Sequence, residues 1–130
     1  MKRLTPFILL IVLLLSSCSE PLERGKKVRD FTFIDQNGEP YGTEQLAGTP
    51  WIADFIFTSC TTICPTLTSE MASLQKMLKE EGLDVQFVSF SVDSEVDEPA
   101  VLKKYISNFT DDESDWHLLT GYSQSELEAF

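Results

Sequence analysis

Two cysteines stand close together in the middle of the chain, in the run Cys60-Thr61-Thr62-Ile63-Cys64-Pro65. A thiol does chemistry once it is ionised, because the thiolate is both the nucleophile of disulfide exchange and the ligand for a metal. With this spacing the two sulfurs converge on one side of a single turn, where they could close a disulfide or clasp one ion. Softness narrows the ion. Two thiolates suit Cu(I), which tolerates low coordination, whereas zinc usually takes four ligands. The chain has three Cys and one His in all, too few for a second Cys pair or a His pair. Plainer readings stay open: a structural disulfide, or two buried reduced thiols. A bridge across so small a ring removes little entropy from the unfolded chain, which weakens the first of these. The usual redox pair has two intervening residues rather than three, and that favours an ion over electron transfer.

The flanking elements must position the pair. Trp51 to Phe57 is nearly all apolar, with Asp54 the exception, and reads as a strand buried on both faces. Pro65 to Glu81 reads as a helix with Leu67, Met71, Leu74 and Leu78 on one face, Pro65 at its first position and Gly82 as its stop. The cysteines thus fall at the carboxyl end of a strand and the amino end of a helix. Open α/β sheets bind ligands there, and the positive helix end lowers the pKa of a cysteine. Upstream, Phe31 to Ile34 and Pro40-Tyr41 flank the turn residues Asp35 to Gly38 and predict a small hairpin. Downstream, Asp84 to Val92 is a second core strand. Asp97-Glu98-Pro99 opens a helix with its acids at the positive end of the dipole. Trp116 to Leu119 is a short strand, and Ser123 to Glu126 has capping-box form. The order β-β-α-β-α-β-α predicts a mostly parallel sheet with helices on its faces. The last helix has room for only about two turns before Phe130, which reads as an unfinished domain.

Four acidic or basic features have a bland reading beside a functional one. Asp93 ends its strand on the cysteines' rim and could orient a partner or tune a thiol, or simply cap its loop. Asp54 in a core strand would be costly if unpaired, its pKa raised by burial, and could shuttle a proton to the thiols; alternatively it points at the sheet's rim. His117, a lone histidine on a short strand, reads as a solvent-facing or packing residue and not as a ligand. Asp111 to Asp115 lacks the alternating ligands and glycine of an EF-hand and reads as a solvated acidic turn.

Composition bounds the rest. With 42% apolar and 24% charged residues over a length of 130, the chain is neither collagenous, low-complexity nor a disulfide mini-protein, and holds about one domain. A formal charge of −11 would repel phosphate backbones, so no nucleic-acid partner is expected. Residues 1–17 read as a signal peptide: Lys2 and Arg3 precede an apolar run from Phe7 to Leu15 that is too short to span a bilayer comfortably. Leu15-Ser16-Ser17-Cys18 resembles the lipobox of bacterial lipoproteins, which implies a diacylglycerol on Cys18 as the first mature residue. Two acyl chains anchor a protein stably. Residues 18–30, with Pro21, Gly25, Lys26, Lys27 and Arg29, read as the tether, and residues 31–130 as the folded part. The expected location is the extracytoplasmic face of a bacterial cell membrane, where thiols can oxidise.

Phe55-Ile56-Phe57-Thr58-Ser59-Cys60 through Cys64-Pro65, then Ser91-Val92-Asp93 and Asp97-Glu98-Pro99, then Trp116-His117-Leu118-Leu119-Thr120-Gly121, together resemble the Sco/SenC family. The resemblance runs from about Phe31 to the end. It implies an α/β, thioredoxin-like fold, here incomplete, with its C-terminal hairpin and helix missing. It also implies a membrane-tethered copper chaperone, a binding protein rather than an enzyme, that helps assemble the binuclear copper centre of cytochrome c oxidase. Its partner would be the copper-bearing subunit of that oxidase. Cys60 and Cys64 match the family's copper-binding cysteines, and its third ligand, a histidine on a later hairpin, lies past the end of this chain. Ser94 departs from the proline that commonly follows Ser-Val-Asp. The alternative from a different class is an extracytoplasmic thiol-disulfide oxidoreductase in which Cys60 and Cys64 are the attacking and resolving thiols.

Overall fold

Asp35 closes the first turn of the chain: its carboxylate accepts the N–H groups of Asn37 and Glu39 at 2.8 and 3.0 Å. On either side of that turn β1 (Thr32–Ile34) and β2 (Pro40–Gly42) pair antiparallel, the expected hairpin. The computed structural model describes Gly25 and residues 27–129. The expected signal peptide, the Cys18 lipid site and most of the tether lie outside these residues. A short helix that sequence reasoning missed, α1 (Thr43–Leu46), follows directly. Its signal was Gln45, whose side chain turns back to accept the Gly42 N–H at 2.9 Å.

The main sheet holds β3 (Trp51–Ile56), β4 (Gln86–Ser91) and β5 (Trp116–Leu119), all parallel, in the order β3-β4-β5. The hairpin joins it through a bridge between Ile34 and Thr120. Helix α2 (Ile63–Glu80) crosses from β3 to β4, α3 (Pro99–Ile106) from β4 to β5, and α4 (Gln124–Glu128) follows β5. Residues alternate between faces with the strand period of two. Val88, Phe90 and Leu119 pack with Phe31, Tyr41 and Tyr122 on the hairpin side. Phe87, Trp116 and Leu118 pack with Leu102, Ile106 and the inner face of α2 on the other side. Two core clusters therefore sandwich the sheet, as a parallel sheet requires.

Several expectations need correction. β3 is not buried on both faces: among the described residues it pairs with β4 alone, and Phe55 is 54% exposed. Helix α2 starts at Ile63, so Pro65 is its third residue, where its missing N–H still falls among the unpaired donors of the first turn. Of the face predicted for α2, Met71, Leu74 and Leu78 pack on the core while Leu67 is exposed. Gly82 does stop the helix. It has a φ of 70°, its N–H reaches the Lys79 carbonyl and the Leu83 N–H that of Leu78, both at 3.0 Å. The acidic turn is not merely solvated, since Lys79 Nζ pairs with Asp112 at 2.6 Å and Asp115 at 3.0 Å, tying it to α2.

Candidate thiol site

The loop from β3 to α2 turns sharply, the Cys60 N–H donating to the Phe57 carbonyl at 3.2 Å. Cys64 is the second residue of α2. Its N–H belongs to the first turn of the helix, where no carbonyl is within reach, and it donates to Cys60 Sγ across 3.4 Å. Thr62 stands at the helix cap, its hydroxyl 3.9 Å from the same sulfur. Both cysteines are reduced and buried. The sequence brings them together as expected.

Their electrostatics differ. The Cys64 thiol and then the N–H groups of Cys64 and Thr62 all point at Cys60 Sγ, and they bring its pKa down to about 6. Cys64 goes up, through burial first, then its role as donor to Cys60 and the charges on Cys60 and Asp54. The helix end thus favours the thiolate of the cysteine before it, rather than of the one inside it. The opposite shifts favour a thiolate on Cys60 beside a thiol on Cys64. Such a pair can grip a soft ion between two sulfurs, or attack a disulfide with one and resolve with the other.

Asp54 is not turned out to the rim. Both carboxylate oxygens are buried without a hydrogen-bond partner. Burial raises its pKa, and the nearby Ser89 hydroxyl and its own N–H offset only part of that. Asp93 lies past the end of β4, its N–H on the Ser91 hydroxyl at 3.1 Å and its carbonyl accepting the Val96 and Asp97 N–H groups. No hydrogen bond joins its side chain to either cysteine among the described residues. The loop-capping reading fits this geometry. His117 packs: its Nδ1 lies 3.1 Å from Asp35 Oδ2 and its ring stacks on Tyr41 with centroids 3.5 Å apart. Among the described residues no third His, Cys, Asp or Glu joins the two cysteines in a metal-holding cluster.

Sequence reasoning named Thr58 and Asp97 but missed the contact between them. Asp97 does not serve the dipole of α3. It is fully buried and accepts the Thr58 N–H and hydroxyl. The two are 39 residues apart, so no local pattern connects them.

Comparison with known proteins places this geometry. The family model described as SCO1/SenC matches residues 19–130. The SCO1 protein homolog of Bacillus subtilis is 48% identical over 126 residues, covering 93% of this chain and 64% of its own length. The structure of a SCO1/SenC family lipoprotein from Bacillus anthracis superposes with a TM-score of 0.78 at 55% identity, over 80% of this chain and 62% of that one. BsSco, a member of the Sco family of cytochrome c oxidase assembly proteins with a disulfide switch, gives 0.77 at 50% identity, over 85% and 63%. Copper-bound ScoI of Bradyrhizobium japonicum gives 0.67 at 30% identity, over 78% and 62%. The chain spans less than two thirds of each, so its fold is the thioredoxin-like α/β fold of these proteins in part. A Cys-x-x-x-Cys pair at the mouth of that sheet, in a sequence matched by the family model almost throughout, means that the chain belongs to the SCO1/SenC family.

Proposed function

We propose that this protein carries copper as cargo on Cys60 and Cys64 and passes it to the copper-bearing subunit of cytochrome c oxidase. The observation that carries the reading is the 3.4 Å approach of the Cys64 N–H to Cys60 Sγ, which holds the two reduced cysteines together at the start of α2 with the Cys60 pKa lowered. Two sulfur donors suit Cu(I). The histidine that the family resemblance implies, outside these 130 residues, would add a third. Copper in the Bradyrhizobium relative and oxidase assembly in BsSco support the assignment. A diacyl anchor on Cys18, at the extracytoplasmic face of a bacterial membrane, keeps the site near its client; the Bacillus anthracis relative is a lipoprotein.

Anaerobic titration of the reduced chain with Cu(I) against a chromophoric chelator tests this. The expected result is one equivalent bound, lost in both Cys60→Ser and Cys64→Ser. Binding that survives both substitutions overturns it.

A second reading rests on the split between the thiols and on the disulfide switch of BsSco. The Cys60 thiolate attacks a substrate disulfide and expels one thiolate. Cys64 then attacks Cys60 Sγ, releasing the second and leaving the Cys60–Cys64 disulfide, with two electrons passed to the substrate. Turnover of a model disulfide at catalytic rates with no copper retained would favour this reading over the first.

A further inference from the structure

We propose that Asp97 is a positioning residue for the thiol pair: through Thr58 it fixes the loop that carries Cys60, and so sets how readily the two sulfurs meet. The inference rests on reading Cys60 and Cys64 as the working groups, but on no metal. Asp97 is wholly buried, and its carboxylate accepts the Thr58 N–H at 3.1 Å, the Thr58 hydroxyl at 2.5 Å and the Ser91 hydroxyl at 2.6 Å. Thr58 precedes Cys60 by two residues in the same tight turn. The anchor is itself anchored. The Asp97 N–H donates to the Asp93 carbonyl at 2.9 Å, the Ser91 hydroxyl accepts the Asp93 N–H at 3.1 Å, and the Tyr122 hydroxyl donates to the Ser91 carbonyl at 2.6 Å.

A carboxylate taken fully out of water is costly unless donors meet its lone pairs, and apolar side chains of like volume serve stability as well or better. A carboxylate at this spot does what an apolar residue cannot. It grips a backbone amide and a hydroxyl of one short loop and ties them to the last residue of β4. The loop can then neither slide along the sheet nor rotate Cys60 away from the Cys64 amide. Fixing two reactive groups in one geometry raises their effective concentration.

The test is the thiol–disulfide equilibrium of the full chain in glutathione buffers, with reduced and oxidised forms trapped by alkylation and weighed by mass spectrometry. The pair gives two electrons and two protons to glutathione disulfide, forming its own disulfide and two glutathiones, so the constant reads the effective concentration of the two thiols. Thr58→Val keeps the shape and the N–H but removes the hydroxyl donor. Asp97→Asn keeps an acceptor for Thr58 but removes the charge. Each is expected to lower the effective concentration by about fivefold or more, while Thr58→Ser stays within about twofold of the parent. Phe87→Leu, in the core at the far end of β4, serves as the destabilised control and is expected to leave the constant unchanged. An unchanged constant in Thr58→Val overturns the proposal. So does a fall that tracks urea stability across all variants, Phe87→Leu included. Copper plays no part in the readout: a chain that fails to bind copper yet shows this pattern sinks the cargo assignment and leaves the clamp standing.

Discussion

Cys60 Sγ and the Cys64 amide stand 3.4 Å apart, so a first-turn donor of α2 is satisfied by sulfur. With Cys60 brought down from 9.0 to about 6, alkylation of the reduced chain should rise in rate through about pH 5 to 7 and then level off. Cys64→Ala removes the leading cause, the thiol donor, while the amides of residues 62 and 64 remain. The midpoint should therefore move up without reaching the ordinary thiol range, as read by ultraviolet thiolate absorbance. A depressed thiol pKa also stabilises the folded state. That contribution is fully present above the ordinary thiol range and lost as pH falls through about 6.

Asp54 is a carboxylate whose buried oxygens make no hydrogen bond, raised by burial that the nearby Ser89 hydroxyl and its own N–H only partly offset. Its ionised form weakens the fold, and Asp54→Asn should stabilise the chain by about 1–3 kcal/mol at neutral pH in urea unfolding. The sign follows from the raised pKa: between the unfolded value near 3.8 and the folded one, the native state binds the extra proton. The gain should shrink as pH falls and vanish below the unfolded value. The same substitution removes one of the charges that raise Cys64, so the Cys64 thiol should titrate lower.

The contrast between those two residues shows what the sequence could carry. The cysteine pair was legible because its placement depends on one strand end and one helix start, both local in sequence. Gly82 was legible for the same reason, as a stop beside its own helix. β3 was misread because apolar content reports the presence of a strand and not what covers its faces; Phe55 meets the Phe90 ring of the neighbouring strand and is still 54% exposed. The roles of Asp97 and Asp54 were settled by tertiary distance. Each is an acid with an ordinary local explanation, a dipole partner or a rim residue, and only the folded sheet shows one held by the Thr58 amide and hydroxyl and the Ser91 hydroxyl, and the other buried with no hydrogen bond to its oxygens.

His117 and Asp35 lock the hairpin onto the sheet at 3.1 Å. Asp35 is held below the usual carboxylate range: burial pushes it up, but the Glu39 and Asn37 amides and His117 outweigh that. Asp35→Ala leaves two turn amides without an acceptor and should cost about 2 kcal/mol at neutral pH. Because the folded pKa is depressed, the Asp35 contribution is present above 3.8 and lost as pH falls through the folded value. The gap between parent and variant in urea midpoints should therefore close in acid. A gap that persists unchanged at the lowest pH would show that packing of the turn, and not the carboxylate, sets the difference.

Trp116 is fully buried and donates its indole N–H to the Ser89 hydroxyl at 2.9 Å, joining β5 to β4 inside the helix-side core. Trp116→Phe leaves a void and an unmatched hydroxyl and should cost about 2 kcal/mol. Ser89→Ala leaves the indole N–H unpaired and should cost about 1 kcal/mol. Combined, the two should cost less than their sum by about 1 kcal/mol, since the second change removes a partner already lost. Ser89 also stands in register with Asp54 on the neighbouring strand and offsets part of its raised pKa. Ser89→Ala should therefore push the Asp54 carboxyl further up, visible by carboxyl NMR titration, whereas Trp116→Phe removes only a donor to the Ser89 oxygen, leaves the hydroxyl proton in place and should leave the Asp54 titration close to that of the parent. A shift from the first substitution and none from the second, though both destabilise the core, separates the hydroxyl from simple loss of packing. Shifts of the same sign would mean that Asp54 responds to loosening of the sheet and not to Ser89.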